Sequence, residues 1–243
     1  FLPFVEHFDA LAFGISAAEA IVMDPQQRVL LEVAYESLHE SSFRRSTLRS
    51  GDGGSFLGVE RPDWALVQPP SSRRSVYTLT ADNTSVAAGR VSFALGMHGP
   101  CLSIDTACSS SLSALYSSCH AIHAGECSVA VTMTVSLKLS PQVTLIAAMG
   151  GMLSAEGRCR TFDSRAIGYV RSEGVGTFLH TYERAGLAML GSIVRQDGRS
   201  ASLTAPNGAA QRLLLLATLA RARLGAADMR GIEVHGTGTA LGD

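Results

Sequence analysis

One stretch narrows the possible architecture of this chain more than any other: Pro100, a short extended run, six small residues from Thr106 to Ser111, and a long helical pattern. Pro100 bars a helix from entering the segment, and Cys101, Leu102 and Ile104 favour extended, buried backbone. The small residues permit a sharp turn. Leu112, Leu115, Cys119 and Ile122 then recur at helical spacing among positions that are mostly Ser and Ala, which predicts a helix buried on several sides and ended by Gly125. Cys127 to Met133 has the continuous apolar character of a central parallel strand. Strand, buried helix and strand form a βαβ unit, so the fold class expected is α/β.

Cys108 stands where the turn meets the helix. Unpaired backbone N–H groups and the positive end of the helix dipole favour a thiolate there and offer donors to a developing oxyanion. Cys108 is therefore the candidate nucleophile, against the plainer reading of a buried cysteine packed as a small hydrophobe. Ser109 to Ser111 lack a Gly-x-Ser-x-Gly elbow, which disfavours serine hydrolysis. Cys119, His120, His123 and Cys127 do not fit a recognised zinc spacing, so no metal site is expected.

Along the chain, Ser16 can cap a short helix through Ile21, and Asp24-Pro25 supplies a second helix start. Val29, Leu30, Val33, Ala34 and Leu38 share one face of that second helix, and Gln26-Gln27-Arg28 reads as its solvated polar first turn. Ser41 to Asp52 reads as a loop and Ser55 to Val59 as a buried strand, while Arg61 to Thr80, with three prolines and the single Trp, reads as irregular surface. Ser85 to Leu95 is a helix ended by Gly96, and Ser140-Pro141 opens a short helix towards Met149. Arg158 to Asp163 is expected to cross to a second sheet segment. Thr177 to Tyr182 and Leu187 to Val194 read as two strands joined across Glu183 to Gly186. Gln211 to Leu224 predicts a helix closed by Gly225, and Ile232 to Val234 predicts a strand presenting His235 at its carboxyl end, where α/β folds gather their chemistry.

Composition bounds the function classes. With 243 residues, 46% hydrophobic and 17% charged, the chain can form one sizeable core or one lobe of a larger one. The net charge of −1 comes from 20 basic and 21 acidic residues that form no long run, which argues against nucleic-acid or anionic-membrane partners. No apolar stretch reaches spanning length. Five cysteines, odd in number and without paired spacing, suit a reducing compartment, so an intracellular, cytoplasmic setting is expected.

Four motifs in register carry a resemblance. Asp105-Thr-Ala-Cys-Ser-Ser-Ser-Leu112 resembles the active-site signature of β-ketoacyl synthase domains of type I polyketide and fatty acid synthases. Met23-Asp-Pro-Gln-Gln-Arg28, Leu203-Thr-Ala-Pro-Asn-Gly208, and Glu233-Val-His-Gly-Thr-Gly-Thr239 followed by Leu241-Gly-Asp243 match the same family in the same order. The resemblance covers nearly the whole chain and implies a thiolase-like, layered α/β/α/β/α architecture. In the family a first strand and glycine-rich turn precede the position of Phe1, and a second half follows that of Asp243. Residues 1–243 are accordingly expected to be the N-terminal portion of one domain. Expressed alone, such a piece is expected to be inactive and poorly soluble, because the Leu112, Leu115 and Ile122 face would lose its cover. The resemblance is imperfect at Ile167, where the family carries Asp or Asn, at Arg195, where it carries Asn, and near Gly186, where the hairpin connection is roughly eight residues shorter than the family pattern.

The chemistry that the resemblance implies is decarboxylative condensation. Cys108 would hold the acyl chain, and His235 would donate to the enolate oxygen alongside a second histidine and a lysine that the family places beyond Asp243. Thr237 and Thr239 would bind the phosphopantetheine arm, although Gly236-Thr-Gly-Thr239 also reads as a simple turn. The implied partners are an acyl carrier protein domain, acyl and malonyl-type thioesters and a second copy of the complete domain, with no bound cofactor. A chain-initiating synthase and a non-catalytic domain that positions a carrier protein are the rival readings.

Overall fold

The computed structural model describes residues 2–3, 5–44, 51–182, 186–239 and 242–243. The chain divides into two compact units, Phe1–Pro141 with Ser172–Arg184, and Gln142–Arg171 with Ala185–Asp243.

Among the described residues the first unit is built on four strands, β1 (Gly54–Val59), β2 (Cys101–Ile104), β3 (Val129–Ser136) and β4 (Gly174–Thr181), in the order β2-β1-β3-β4. β1 runs parallel to β2 and β3, and β4 runs antiparallel to β3. Its helices are α1 (Ala17–Val22), α2 (Pro25–Glu40), α3 (Trp64–Val67), α4 (Thr78–Ala81), α5 (Thr84–Leu95) and α6 (Ser110–Ala124). The expected helix starts are present: Ser16 Oγ accepts the Glu19 N–H at 3.2 Å, and Asp24 Oδ1 accepts the Gln26 N–H at 2.8 Å with Pro25 in the first turn.

Side-chain alternation along the strands sorts the core into two layers. Leu57, Val59, Val131, Met133 and Val135 pack with Leu30, Leu31, Ala34 and Leu38 of α2 and Val91 and Leu95 of α5. Phe56 and Ala130 point the other way, against Ala114, Ala121 and Ile122 of α6. The βαβ unit is as expected, with α6 carrying the chain from β2 past β1 to β3.

Several expectations for this unit need correction. The β2 strand is not buried: it lies at the sheet edge, where Cys101 is exposed and Leu102 is 43% exposed. Only part of the apolar stripe of α6 is buried: Leu112 is 68% exposed, while Cys119 and Ile122 are buried together with the small residues Ser110, Ala114, Ser118 and Ala121. Small residues let the helix approach the sheet, and the Ser118 hydroxyl accepts a 2.6 Å hydrogen bond from Thr132 on β3. Finally, the first turn of α2 is not solvated. Gln26 and Gln27 are buried, the Leu137 N–H donates to Gln26 Oε1 at 3.0 Å, and Arg90 donates to Gln27 Oε1 at 2.6 Å. Arg90 also meets Glu19 and the Thr80 carbonyl, so the polar turn is a buried joint between α2, β3 and α5. The stretch after Arg61, expected to be irregular, instead forms the short helices α3 and α4, and it is anchored at the end of α1 because the Trp64 and Gln68 side chains both donate to the Val22 carbonyl.

The second unit contains α7 (Pro141–Met149) from its second residue onward and α8 (Gly208–Ala222). α8 begins three residues earlier than expected, because Asn207 Oδ1 accepts from the Ala209 and Ala210 N–H groups. It ends at Ala222, closed by Arg223 at φ +57° and not by Gly225. Leu187 to Val194 and Ile232 to Val234 are not strands: no ladder partner pairs with them among the described residues, and an apolar run becomes a strand only when its backbone groups are paired. Arg158 to Asp163 forms turns and no sheet segment, with Arg160 and Phe162 at positive φ. Residues 45–50 of the expected loop, and residues 183–185 of the shortened connection, lie outside the described residues. Among the described residues no helix is long and apolar enough to cross a membrane.

Burial pushes the Asp24 carboxyl up to about 6, against the lowering effect of its Gln26 hydrogen bonds, with the Asp82 and Asp63 charges adding to the rise. A folded-state value above the unfolded one favours the folded state fully at pH below the unfolded value of about 3.9, and this contribution disappears as pH rises through about 6. Acidification from pH 7.5 to 5 is therefore expected to add stability at Asp24, within a total effect of about 2–3 kcal/mol. Thermal melts of the wild type and Asp24→Asn across that range check this, and the variant should lack the Asp24 part of the pH response.

Candidate active site

Cys108 sits in a turn assembled from local hydrogen bonds. β2 ends at Ile104, Asp105 Oδ1 accepts the Ala107 N–H at 3.0 Å, Ala107–Ser109 form a single 3-10 turn, and α6 begins at Ser110. Ala107 has φ +55°, a left-handed conformation that costs a residue with a Cβ about 1–2 kcal/mol. The Ser110 hydroxyl accepts from the Thr106 N–H at 2.8 Å and donates to the Ala107 carbonyl at 2.7 Å. Ser109 Oγ donates to the Thr106 carbonyl at 2.8 Å, and the Thr106 and Ser113 hydroxyls lie 3.1 Å apart.

Beneath this turn lies Gly58 on β1. A Cβ there would come within 2.6 Å of the Ser110 carbonyl carbon and oxygen and of the Ser111 nitrogen. The first turn of α6 thus rests directly on the strand, and only a glycine admits it.

The other thiols of the first unit have different settings. Cys119 and Cys127 are buried, and burial pushes both thiols up, away from thiolate formation. Cys101 is exposed but lies within β2, with no helix start at its sulfur. Cys108 alone among the described cysteines combines exposure with the start of a 15-residue helix. The histidines near α6 serve local packing: His123 Nδ1 lies 2.6 Å from the Cys119 carbonyl, and the His120 ring packs on Tyr116 at 4.6 Å.

His235, Thr237 and Thr239 belong to the second unit, and Cys108 to the first. His235 is exposed and stands on irregular backbone, not at the end of a strand. The loop after it is held tightly. Thr161 Oγ1 donates to the Gly236 carbonyl at 2.6 Å, the Gly168 N–H donates to the Gly238 carbonyl at 3.0 Å, and the Gly238 N–H donates to Asp243 Oδ1 at 3.0 Å. The other Asp243 oxygen accepts the Phe162 N–H at 2.8 Å. Gly238, at φ +69°, has the Cys159 carbonyl oxygen 1.4 Å from where a Cβ would stand, so no other residue fits. The Thr237 and Thr239 hydroxyls are brought within 3.2 Å of each other. Sequence reasoning singled out neither Ser110, Thr161 nor Asp243 as supports. Their donors and acceptors are backbone groups, which leave no mark in side-chain spacing.

The β-ketoacyl synthase N-terminal domain model matches residues 1–184, and the C-terminal domain model matches residues 187–243. The chain belongs to the β-ketoacyl synthase family. Among its relatives, a phenolphthiocerol/phthiocerol polyketide synthase from Mycobacterium tuberculosis is 43% identical over 249 residues, covering 98% of this chain and 11% of that protein. Polyketide synthase GfsA of Streptomyces halstedii is 42% identical over 246 residues, covering 98% of this chain and 3% of that protein. The solved oxazolomycin ketosynthase domain OzmH KS7 of Streptomyces albus JA3453 matches with a TM-score of 0.93 and 35% identity, over all of this chain and 44% of that one. The ketosynthase from module 6 of the Bacillus subtilis 168 bacillaene synthase matches at 0.90 and 31%, over 42% of its own chain. The chain thus spans about a tenth or less of these two polyketide synthases and less than half of each solved ketosynthase. These matches show that the chain is part of a type I polyketide synthase ketosynthase domain and has the thiolase-like α/β fold expected from the sequence.

Gly58→Ala is expected to destabilise the protein by about 1–3 kcal/mol, because the added methyl meets rigid backbone and not a movable side chain. Chemical denaturation checks the loss. Alkylation of Cys108 should slow in the same variant, since α6 can relieve the clash only by lifting its first turn.

Proposed function

We propose that this chain carries the nucleophile of a ketosynthase that performs decarboxylative condensation in polyketide chain extension. The observation that supports this most is the exposed Cys108 between the left-handed Ala107 and the start of α6, within a chain of the β-ketoacyl synthase family. The Cys108 thiolate attacks the carbonyl carbon of an acyl thioester. A new sulfur–carbon bond forms, the donor's carbon–sulfur bond breaks, and the departing thiolate takes up a proton. A malonyl-type thioester then loses carbon dioxide, and the electron pair of the broken carbon–carbon bond becomes an enolate. Its carbon attacks the acyl group on Cys108 and expels the thiolate.

Negative charge on the enolate oxygen requires fixed donors, and His235, through a ring N–H, is the donor we assign. Thr237 and Thr239 would hydrogen-bond the amide groups of the phosphopantetheine arm, on a loop whose backbone is already held by Thr161 and Asp243. The substrates are then acyl and malonyl-type thioesters carried by an acyl carrier protein domain, and the complete domain pairs with a second copy of itself. In this reading residues 1–243 belong to one ketosynthase domain.

The test uses the full-length protein. Cys108→Ala should abolish acylation, detected by mass spectrometry after incubation with an acyl donor. Cys108→Gln should abolish condensation yet release carbon dioxide from malonyl carrier. His235→Ala should slow that release by roughly 10²- to 10³-fold, the usual cost of removing one oxyanion donor. Acylation that persists in Cys108→Ala, or maps to Cys101, overturns the nucleophile assignment; unchanged carbon dioxide release in His235→Ala overturns the role of His235.

A further inference from the structure

From the geometry we infer that Ser110 is the positioning residue of the nucleophile turn: its hydroxyl, through two hydrogen bonds, holds Ala107 in the left-handed conformation that presents Cys108. This deepens the proposed function and rests on Cys108 being the nucleophile. Ser110 is buried, unlike Ser109 beside it, and its oxygen bridges the two peptide groups on either side of the Thr106-Ala107 pair. It accepts from the Thr106 N–H at 2.8 Å and donates to the Ala107 carbonyl at 2.7 Å. The carbonyl it grips belongs to the peptide bond that joins Ala107 to Cys108.

Ala107 at φ +55° has no glycine freedom, so something outside the residue must maintain that conformation. The hydrogen bond from Ala107 N–H to Asp105 ties one side of the residue, and Ser110 ties the other. Ser110 is itself unable to drift, because its own backbone lies against β1 where only glycine fits at position 58. The path of constraint therefore runs from the sheet at Gly58, through the Ser110 backbone and hydroxyl, to the Ala107 carbonyl and on to Cys108. The Ser109 and Ser113 side chains bond only Thr106, and the Ser110 backbone N–H also reaches the Ala107 carbonyl, so what the Ser110 hydroxyl adds is the link from that carbonyl to the Thr106 N–H.

Loss of that link removes the tie between the Ala107 carbonyl and the Thr106 N–H, which loosens the left-handed conformation of Ala107 and lets the Cys108 peptide turn. Misplacing a reacting group by about 1 Å can cost 10²-fold in rate, so the expected effect falls on the acylation step itself. Glycine at position 107 tolerates positive φ without restraint, so it should replace what Ser110 supplies.

The experiment measures the second-order rate of Cys108 acylation by a small acetyl thioester in the full-length protein, with thermal melts alongside. Ser110→Ala should lower the rate by roughly 10- to 100-fold. The double variant Ala107→Gly/Ser110→Ala should recover a substantial part of it, a rescue that a merely structural role for Ser110 would not give. A wild-type rate in Ser110→Ala, or a double variant no faster than the single one, overturns the inference. If Ser110→Ala does not fold, Ser110→Cys, with its longer and weaker hydrogen bonds, should give an intermediate rate, and a wild-type rate there overturns it equally. Cys108→Ala separates the two levels: acylation that survives it removes the nucleophile reading, whereas acylation lost in Cys108→Ala but normal in Ser110→Ala removes only the role of Ser110.

Discussion

The contact between the first turn of α6 and β1 is the constraint from which the rest of the first unit follows. At Gly58 the helix backbone meets the strand backbone with no side chain between them. Such an approach demands small residues along the facing helix stripe, and Ser110, Ala114, Ser118 and Ala121 supply them. It also fixes the height of the helix start above the sheet, and hence the position of the turn that carries Cys108. Phe56 and Ile122 fill the space where the two elements separate, so hydrophobic packing completes an arrangement whose closest point is set by backbone sterics.

The opposite face of the sheet is held by a different kind of bond. There α2 enters through a buried polar turn in which Asp24, Gln26, Gln27 and Arg90 satisfy one another and the ends of neighbouring elements. Buried polar groups are tolerable only when fully paired, and such pairing is directional in a way that apolar packing is not. Gln26 fixes the register of α2 against the end of β3, while the Val22 carbonyl gathers Trp64 and Gln68 from the stretch after Arg61. The raised Asp24 carboxyl is the electrostatic trace of that burial.

In the second unit, the loop after His235 depends on backbone hydrogen bonds from several parts of the chain. Thr161, Gly168 and Asp243 each bind a peptide group of the Gly236 to Gly238 turn, and Gly238 makes room for the Cys159 carbonyl. The two threonine hydroxyls are thus presented by a fixed turn, so the structural and the binding readings of these residues are compatible.

Much of this protein is legible in its residues because the information is local. Ser16, Asp24 and Pro25 announce helix starts through groups two or three residues away, and the apolar run from Cys127 to Met133 reads as a central strand because both of its faces must be covered. The strand-turn-helix setting of Cys108 is legible for the same reason. What only the tertiary structure decided depends on which surface meets which. Leu112 opens the apolar stripe of α6 yet stays exposed, because close approach at Gly58 turns the small-residue face of the first turn to the sheet. Gln26 and Gln27 look like solvated residues until Leu137 and Arg90 arrive to bind them. Leu187 to Val194 has the composition of a strand but no ladder partner among the described residues, and Ser110 shows its bridging role only once the chain has folded back over Ala107. Periodicity reports what a segment can do alone; burial, pairing and close approach are properties of two segments together.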